Sequence, residues 1–156
     1  MISNSTPIIC LAKLNKLEIL KNLFNKIIIP EDVKEEVVIA GKPGYETISR
    51  AIEDGWIKIE NPKENLDLGL GKGENSAINL AKEKREKIII DDAFAIKAVK
   101  SLNIEYLRTT TIILLALKKK IIDKKQAKEM IQRLVEDGYY ISPGIFSKLL
   151  SGIDEV

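Results

Sequence analysis

Three isoleucines run directly into two aspartates in "KIIIDD", residues 87–92, and no other stretch restricts the possible folds as much. An unbroken β-branched run suits a strand covered on both faces, which is what helices packed over a parallel sheet provide. Helical patterns flank it, "GENSAINLAKEKRE" (73–86) before and "AFAIKAVKSLN" (93–103) after. "KIIIP" (26–30) reads as a second buried strand stopped by Pro30, and "WIKIE" (56–60) alternates as a half-exposed edge strand does. "MISN" and "IEYLRT" supply two more short strands.

Between the strands, "STPIICLAKLNKLEILKNLF" (5–24) keeps helical spacing after a Ser/Thr-Pro start. "EDVKEEVVIAG" and "GYETISRAIEDG" read as helices ended by Gly41 and Gly55. Further helices are expected at "TTIILLALKKK", in the amphipathic "DKKQAKEMIQRLVEDG" and after the Ser-Pro of "SPGIFSKLLSGI". The order β-α-β-α-α-β-α-β-α-β-α predicts an α/β sandwich, with a mainly parallel central sheet and helices on both faces. At 156 residues, without repeat or linker, a single domain over 1–156 is expected.

Composition narrows the chemistry. The chain has no histidine, which removes Ser-His-Asp triads, Cys-His nucleophiles and His-ligated zinc together. Its single cysteine, Cys10, lies among apolar residues and reads as a structural thiol. Catalysis would then rest on carboxylates or lysines, with Mg²⁺ or Mn²⁺ as the natural oxygen-ligated cofactor. A net charge of +2 gives no global basic field. No membrane span and no signal peptide are read, so the expected location is the cytoplasm.

In parallel sheets ligands gather beyond the carboxyl ends of the strands. Asn4, Glu36, Glu74, Asp91, Asp92 and Thr109 all follow strands or lie on the helices after them. Each has a plain alternative: Asp91, Asp92, Asn4 and Thr109 as caps, Glu36 as a solvated helical acid, Glu74 as a favourable charge at a helix start. "GLGKGE" (69–74) lacks the spacing of a phosphate loop or a dinucleotide fingerprint and reads as a flexible hinge delivering Glu74.

Taken in order, "ISNSTPIICLAKLNKLEILKNLF", "IIIPEDVKEEVV", "GLGKGENSAINLA", "IIIDDAFAIKAVKSLNI", "RTTTIILLALKKKIID" and "GYYISPGIFSKLL" resemble the PIN domain, over about residues 2 to 150. Within it, the chain resembles a branch of unknown function related to toxins of toxin–antitoxin pairs. The resemblance implies a nuclease-like acidic site that holds Mg²⁺ or Mn²⁺ and activates water against the phosphodiester of single-stranded RNA. By position, the four PIN stations fall on Asn4, Glu36, Asp92 with Asp91 beside it, and Thr109, and Glu74 matches an acid of this branch. Asn4, Glu36, Glu74 and Asp92 are the implied metal ligands, with Asp91 and Thr109 assisting.

Two departures stand out. Asn4 occupies a position where active members resemble one another in having Asp, and an amide can ligate but cannot act as a base. Arg108 stands where the branch tends to have glycine, and its side chain either reaches a phosphate or pairs with Asp91. The resemblance also implies a homodimer and a small antitoxin partner. The alternative function is a weakened PIN fold that binds RNA or an antitoxin without cutting.

Overall fold

Isoleucine builds the sheet. In the computed structural model, which describes residues 1–156, the strands are β1 (Ile2–Ser3), β2 (Ile27–Ile29), β3 (Ile57–Ile59), β4 (Ile88–Ile89) and β5 (Tyr106–Leu107). They form one sheet in the order β3-β2-β1-β4-β5, and every pairing is parallel. Ile2 is in register with both Ile28 and Ile88, which fixes β1 at the centre. Ile2, Ile27, Ile29, Ile57, Ile88, Ile89 and Ile90 are fully buried, as strands covered on both faces require. The alternating "WIKIE" segment does lie at an edge, with Lys58 exposed. The architecture is the expected α/β sandwich, here with an all-parallel sheet.

The chain divides into two compact units, Met1–Thr109 and Thr110–Val156. The first contains the sheet and helices α1 (Ser5–Lys13), α2 (Glu18–Phe24), α3 (Glu31–Val37), α4 (Tyr45–Glu53), α5 (Lys72–Lys84) and α6 (Ala93–Ser101). α7 (Thr109–Lys118) begins at the boundary, and α8 (Lys124–Glu136) and α9 (Pro143–Glu155) complete the second. There, α8 buries Ala127, Met130, Ile131 and Leu134, an i, i+3, i+4, i+7 stripe. Lys128 pairs with Asp154 at 2.7 Å and joins α8 to α9. A capping box between Asp123 and Gln126 opens α8. No helix is long and apolar enough to cross a membrane.

Two boundaries differ from those expected. The run 5–24 is two helices, because Asn15 turns left-handed at φ 56° and closes α1. Its N–H bonds Ala12 O and the Lys16 N–H bonds Leu11 O, the paired return bonds that satisfy the last carbonyls of a helix. Asn tolerates this conformation better than most residues, and apolar periodicity carries no trace of it. Likewise α3 ends at Val37, and Gly41 lies in the following loop.

The strand order places the site. From β1 the chain steps to β2 and β3, then returns across to β4 and on to β5. The winding reverses between β1 and β4, and such a reversal opens a crevice at the carboxyl ends of the two strands. Asn4 follows β1 there, and Asp91 and Asp92 follow β4.

Candidate functional site

The Asn4 N–H donates to Ile89 O at 2.9 Å, holding the end of β1 against β4. Asn4 is 4% exposed, makes no side-chain cap to α1, and its Oδ1 has no hydrogen-bond partner. A buried acceptor left open is costly, and open acceptors in native proteins concentrate where a ligand, water or ion completes them.

The next residue reaches the second station. The Ser5 hydroxyl donates to Glu36 Oε2 at 2.6 Å, linking the start of α1 to α3. Glu36 is exposed, but its carboxylate lies against the backbone of Gly73 in α5. A Cβ at Gly73 would stand 2.0 Å from Glu36 Oε1 and 2.8 Å from Cδ, so only glycine leaves the carboxylate in this place. Gly73 is therefore a helical floor beneath Glu36 at the second position of α5, which replaces the hinge reading of "GLGKGE".

Glu74 comes next on the same helix. Its carboxylate accepts a hydrogen bond from the backbone of Gly71, the residue that caps α5, so half of a capping box is present. Its pKa is nevertheless raised, first by burial, then by the negative charges of Asp92 and Glu36. Three carboxylates from three crossings of the sheet thus interact, and no cation figures among the groups that perturb Glu74. Asp92 is exposed and caps α6, its Oδ1 accepting from the Ala95 N–H at 2.7 Å.

Asp91 and Thr109 are engaged with each other. The Thr109 N–H donates to Asp91 Oδ1 at 2.9 Å, and the Thr109 hydroxyl donates to Oδ2 at 2.6 Å. Both residues are buried, so Asp91 ties the end of β4 to the start of α7. Arg108 Nε lies 3.7 Å from Asp91 Oδ1, so of the two readings of this arginine the structure has the ion pair. Of the six candidates, Asp92 and Glu36 act on Glu74 through their charges, Asn4 follows the central strand, and Asp91 and Thr109 form a separate clasp.

Further residues of α3 and α5 support this edge from beneath. Asp32 and Glu36, one turn apart on α3, face Ser76 and Gly73 on α5, and the Ser76 hydroxyl bonds Asp32 Oδ2. On α5, Asn75 and Asn79 fasten the preceding loop: both amides donate to Asn65 Oδ1 and Leu66 O, and Asn75 Oδ1 accepts from the Leu68 N–H at 2.7 Å. Acids at i, i+4 on one helix and small residues at i, i+3 on another give a legible signal, but their facing each other comes only from topology.

No three acidic or cysteine side chains stand close enough to hold a metal ion by themselves. Mg²⁺ does not require that, since it commonly takes one or two carboxylates and keeps several waters. The donor set fits such an ion: all its atoms are oxygens, the charges of Asp92 and Glu36 act on Glu74, and the Asn4 carbonyl lacks a partner.

The burial of Glu74 beside like charges predicts a pH-dependent stability. A carboxyl raised on folding stabilises the folded state below its unfolded pKa, and that contribution is lost as pH rises through the folded value. At neutral pH the Glu74 charge is therefore a cost to the metal-free protein. Glu74→Gln should raise the metal-free melting temperature at pH 7, with the gain vanishing below about pH 4, near the ordinary range for this acid; a loss at pH 7 would contradict the like-charge account.

Among known protein families, the chain matches the one described as PIN domain, over residues 1–155. No curated protein and no solved structure matches the chain.

Proposed function

The chain belongs to the PIN domain family, and from that premise we propose that it is a Mg²⁺- or Mn²⁺-dependent ribonuclease cleaving single-stranded RNA. PIN domains are generally divalent-metal dependent and have a nuclease-type fold. The observation that carries the reading is the buried, unpartnered Asn4 Oδ1 at the end of the central strand, with Glu74 raised by burial and by the charges of Asp92 and Glu36. Such convergence is expensive unless a cation or a polyanion's escort of cations neutralises it.

Glu36, Glu74 and Asp92, with the Asn4 carbonyl, would hold the ion. Bound there, it would supply a lowered water pKa and neutralise charge at the scissile phosphate, which is why a chain without histidine can be a hydrolase. The protein's own residues do the positioning. Ser5 fixes the direction of Glu36, Gly73 leaves room for it, and Asp92 is held by its cap to α6. Asp91 and Thr109 keep β4 and the start of α7 in place, a positioning role one step removed from the reacting atoms.

Asn4 supports a second reading, a PIN fold that binds RNA or a small antitoxin and cuts weakly or not at all. An amide gives a neutral oxygen where a carboxylate would add charge, and it cannot take a proton. The deciding experiment is Mn²⁺-dependent cleavage of a labelled single-stranded RNA by the native protein and by Asn4→Asp, with chelator as control. Chelator-sensitive cutting by the native protein is expected, with Asn4→Asp faster by about tenfold or more. Cutting by Asn4→Asp alone would assign the native chain to binding, and cutting by neither would end the nuclease reading.

A toxin role, a homodimer and a cytoplasmic location belong to the same proposal. The family match spans both compact units, which supports their acting as one domain. Val135, Tyr140 and Ile145 are exposed in the second unit, and apolar surface of that kind supports self-association.

A further inference from the structure

Phe94 is 66% exposed and stands two residues after Asp92, in the first turn of α6. It is the only exposed aromatic of the large apolar side chains in residues 1–109. Leaving a phenylalanine in water forgoes the stabilisation that its burial would bring. Its neighbours Ala95, Ile96 and Val99 show that the inward face of α6 has no shortage of apolar residues. Lys97, also exposed, follows at i+3 and so shares the outer face with Phe94, their Cβ atoms about 5–6 Å apart.

An aromatic ring, a lysine one turn on and a carboxylate at the helix start therefore share one short helix beginning at the switch-point crevice. Three chemistries of a nucleotide correspond to them: a flat base, a phosphate anion and a scissile bond. We propose that Phe94 is the stacking platform for one unpaired nucleobase beside the carboxylate cluster, with Lys97 meeting an adjacent phosphate. Base-paired strands keep their π-faces stacked within the helix, so this platform selects single strands and, having no hydrogen-bonding edge, tolerates any base. The inference rests on the nuclease reading and adds to it the element that chooses unpaired substrate.

The test uses the whole 156-residue chain in chelator, so that binding is measured without cleavage. Fluorescence anisotropy compares a labelled twelve-nucleotide oligouridylate with a duplex of the same length. Native protein should prefer the single strand, and Phe94→Ala should weaken that binding by about 5- to 100-fold while duplex binding changes little. Phe94→Trp should retain affinity, and its new indole should be quenched by the single strand, against a steady background from Trp56, which is 7% exposed.

Phe94→Ala that binds the oligonucleotide as well as native protein does overturns the platform and leaves the nuclease reading standing. Native protein that binds no RNA in chelator overturns the platform, and if it also cuts none with Mn²⁺ the nuclease reading falls with it. Indole emission from the Phe94→Trp variant that shifts with protein concentration in the absence of RNA would mean that a second copy covers this position, and that also overturns the proposal.

Discussion

Asp92→Asn should lose at least about 100-fold of Mn²⁺-dependent RNA cleavage while folding as the native protein does. The substitution separates two roles that one side chain performs. Asp92 Oδ1 caps α6 through the Ala95 N–H, and asparagine caps helices about as well as aspartate. The negative charge that acts on Glu74 disappears, and with it one proposed anchor for a hard cation. The melting temperature should stay within about 2 °C, since a change under about 0.5 kcal/mol moves a protein of this size that far or less. Rate measurements on matched, circular-dichroism-checked samples decide the matter. Unchanged cleavage would remove Asp92 from the site, and joint loss of fold and rate would mean that its cap, not its charge, had been measured.

The second large effect concerns stability. Asp91→Ala would strand the Thr109 N–H and hydroxyl, in a residue that is fully buried. Buried donors without acceptors cost about 1–3 kcal/mol each, more when the lost partner was charged. The expected destabilisation is about 3–5 kcal/mol, a large share of a typical domain's total. Thermal melting should fall by about 6–20 °C. Asp91→Asn is the informative companion, because its Oδ1 can still accept from the Thr109 N–H and its amide can donate to the hydroxyl. That variant should recover most of the stability and most of the cleavage rate. A stable Asp91→Asn with cleavage as low as that of Asp92→Asn would move Asp91 from clasp to catalytic residue.

What the sequence displayed follows from which interactions are local. Buried strands declare themselves through unbroken isoleucine, and the edge strand through the alternation around Lys58. Helix stops written in glycine, such as Gly55, were legible, whereas the stop at Asn15 was hidden in an otherwise continuous apolar rhythm. Acids near strand ends could be enumerated, but not sorted. Asp91 and Asp92 are adjacent and identical in kind, yet one turns inward to Thr109 and the other outward to the cap and the cluster. Only the tertiary neighbour decides that. Gly73 shows the same limit, because its meaning lies in a carboxylate from α3 that no local pattern announces.

The parallel order of the strands also bears on when the site exists. Asn4, Glu36, Glu74 and Asp92 each follow a different strand, and parallel neighbours can meet only after a long excursion of chain. No fragment ending before residue 92 contains all four, and no single supersecondary unit brings more than two of them together. The charge cluster is thus a late product of folding, paid for in loop closure before any of its members touch. Opening any one crossing disperses it, so a partly unfolded or nicked chain would lose its carboxylate edge before losing its core. A growing chain on the ribosome would likewise lack the complete cluster for more than half of its synthesis.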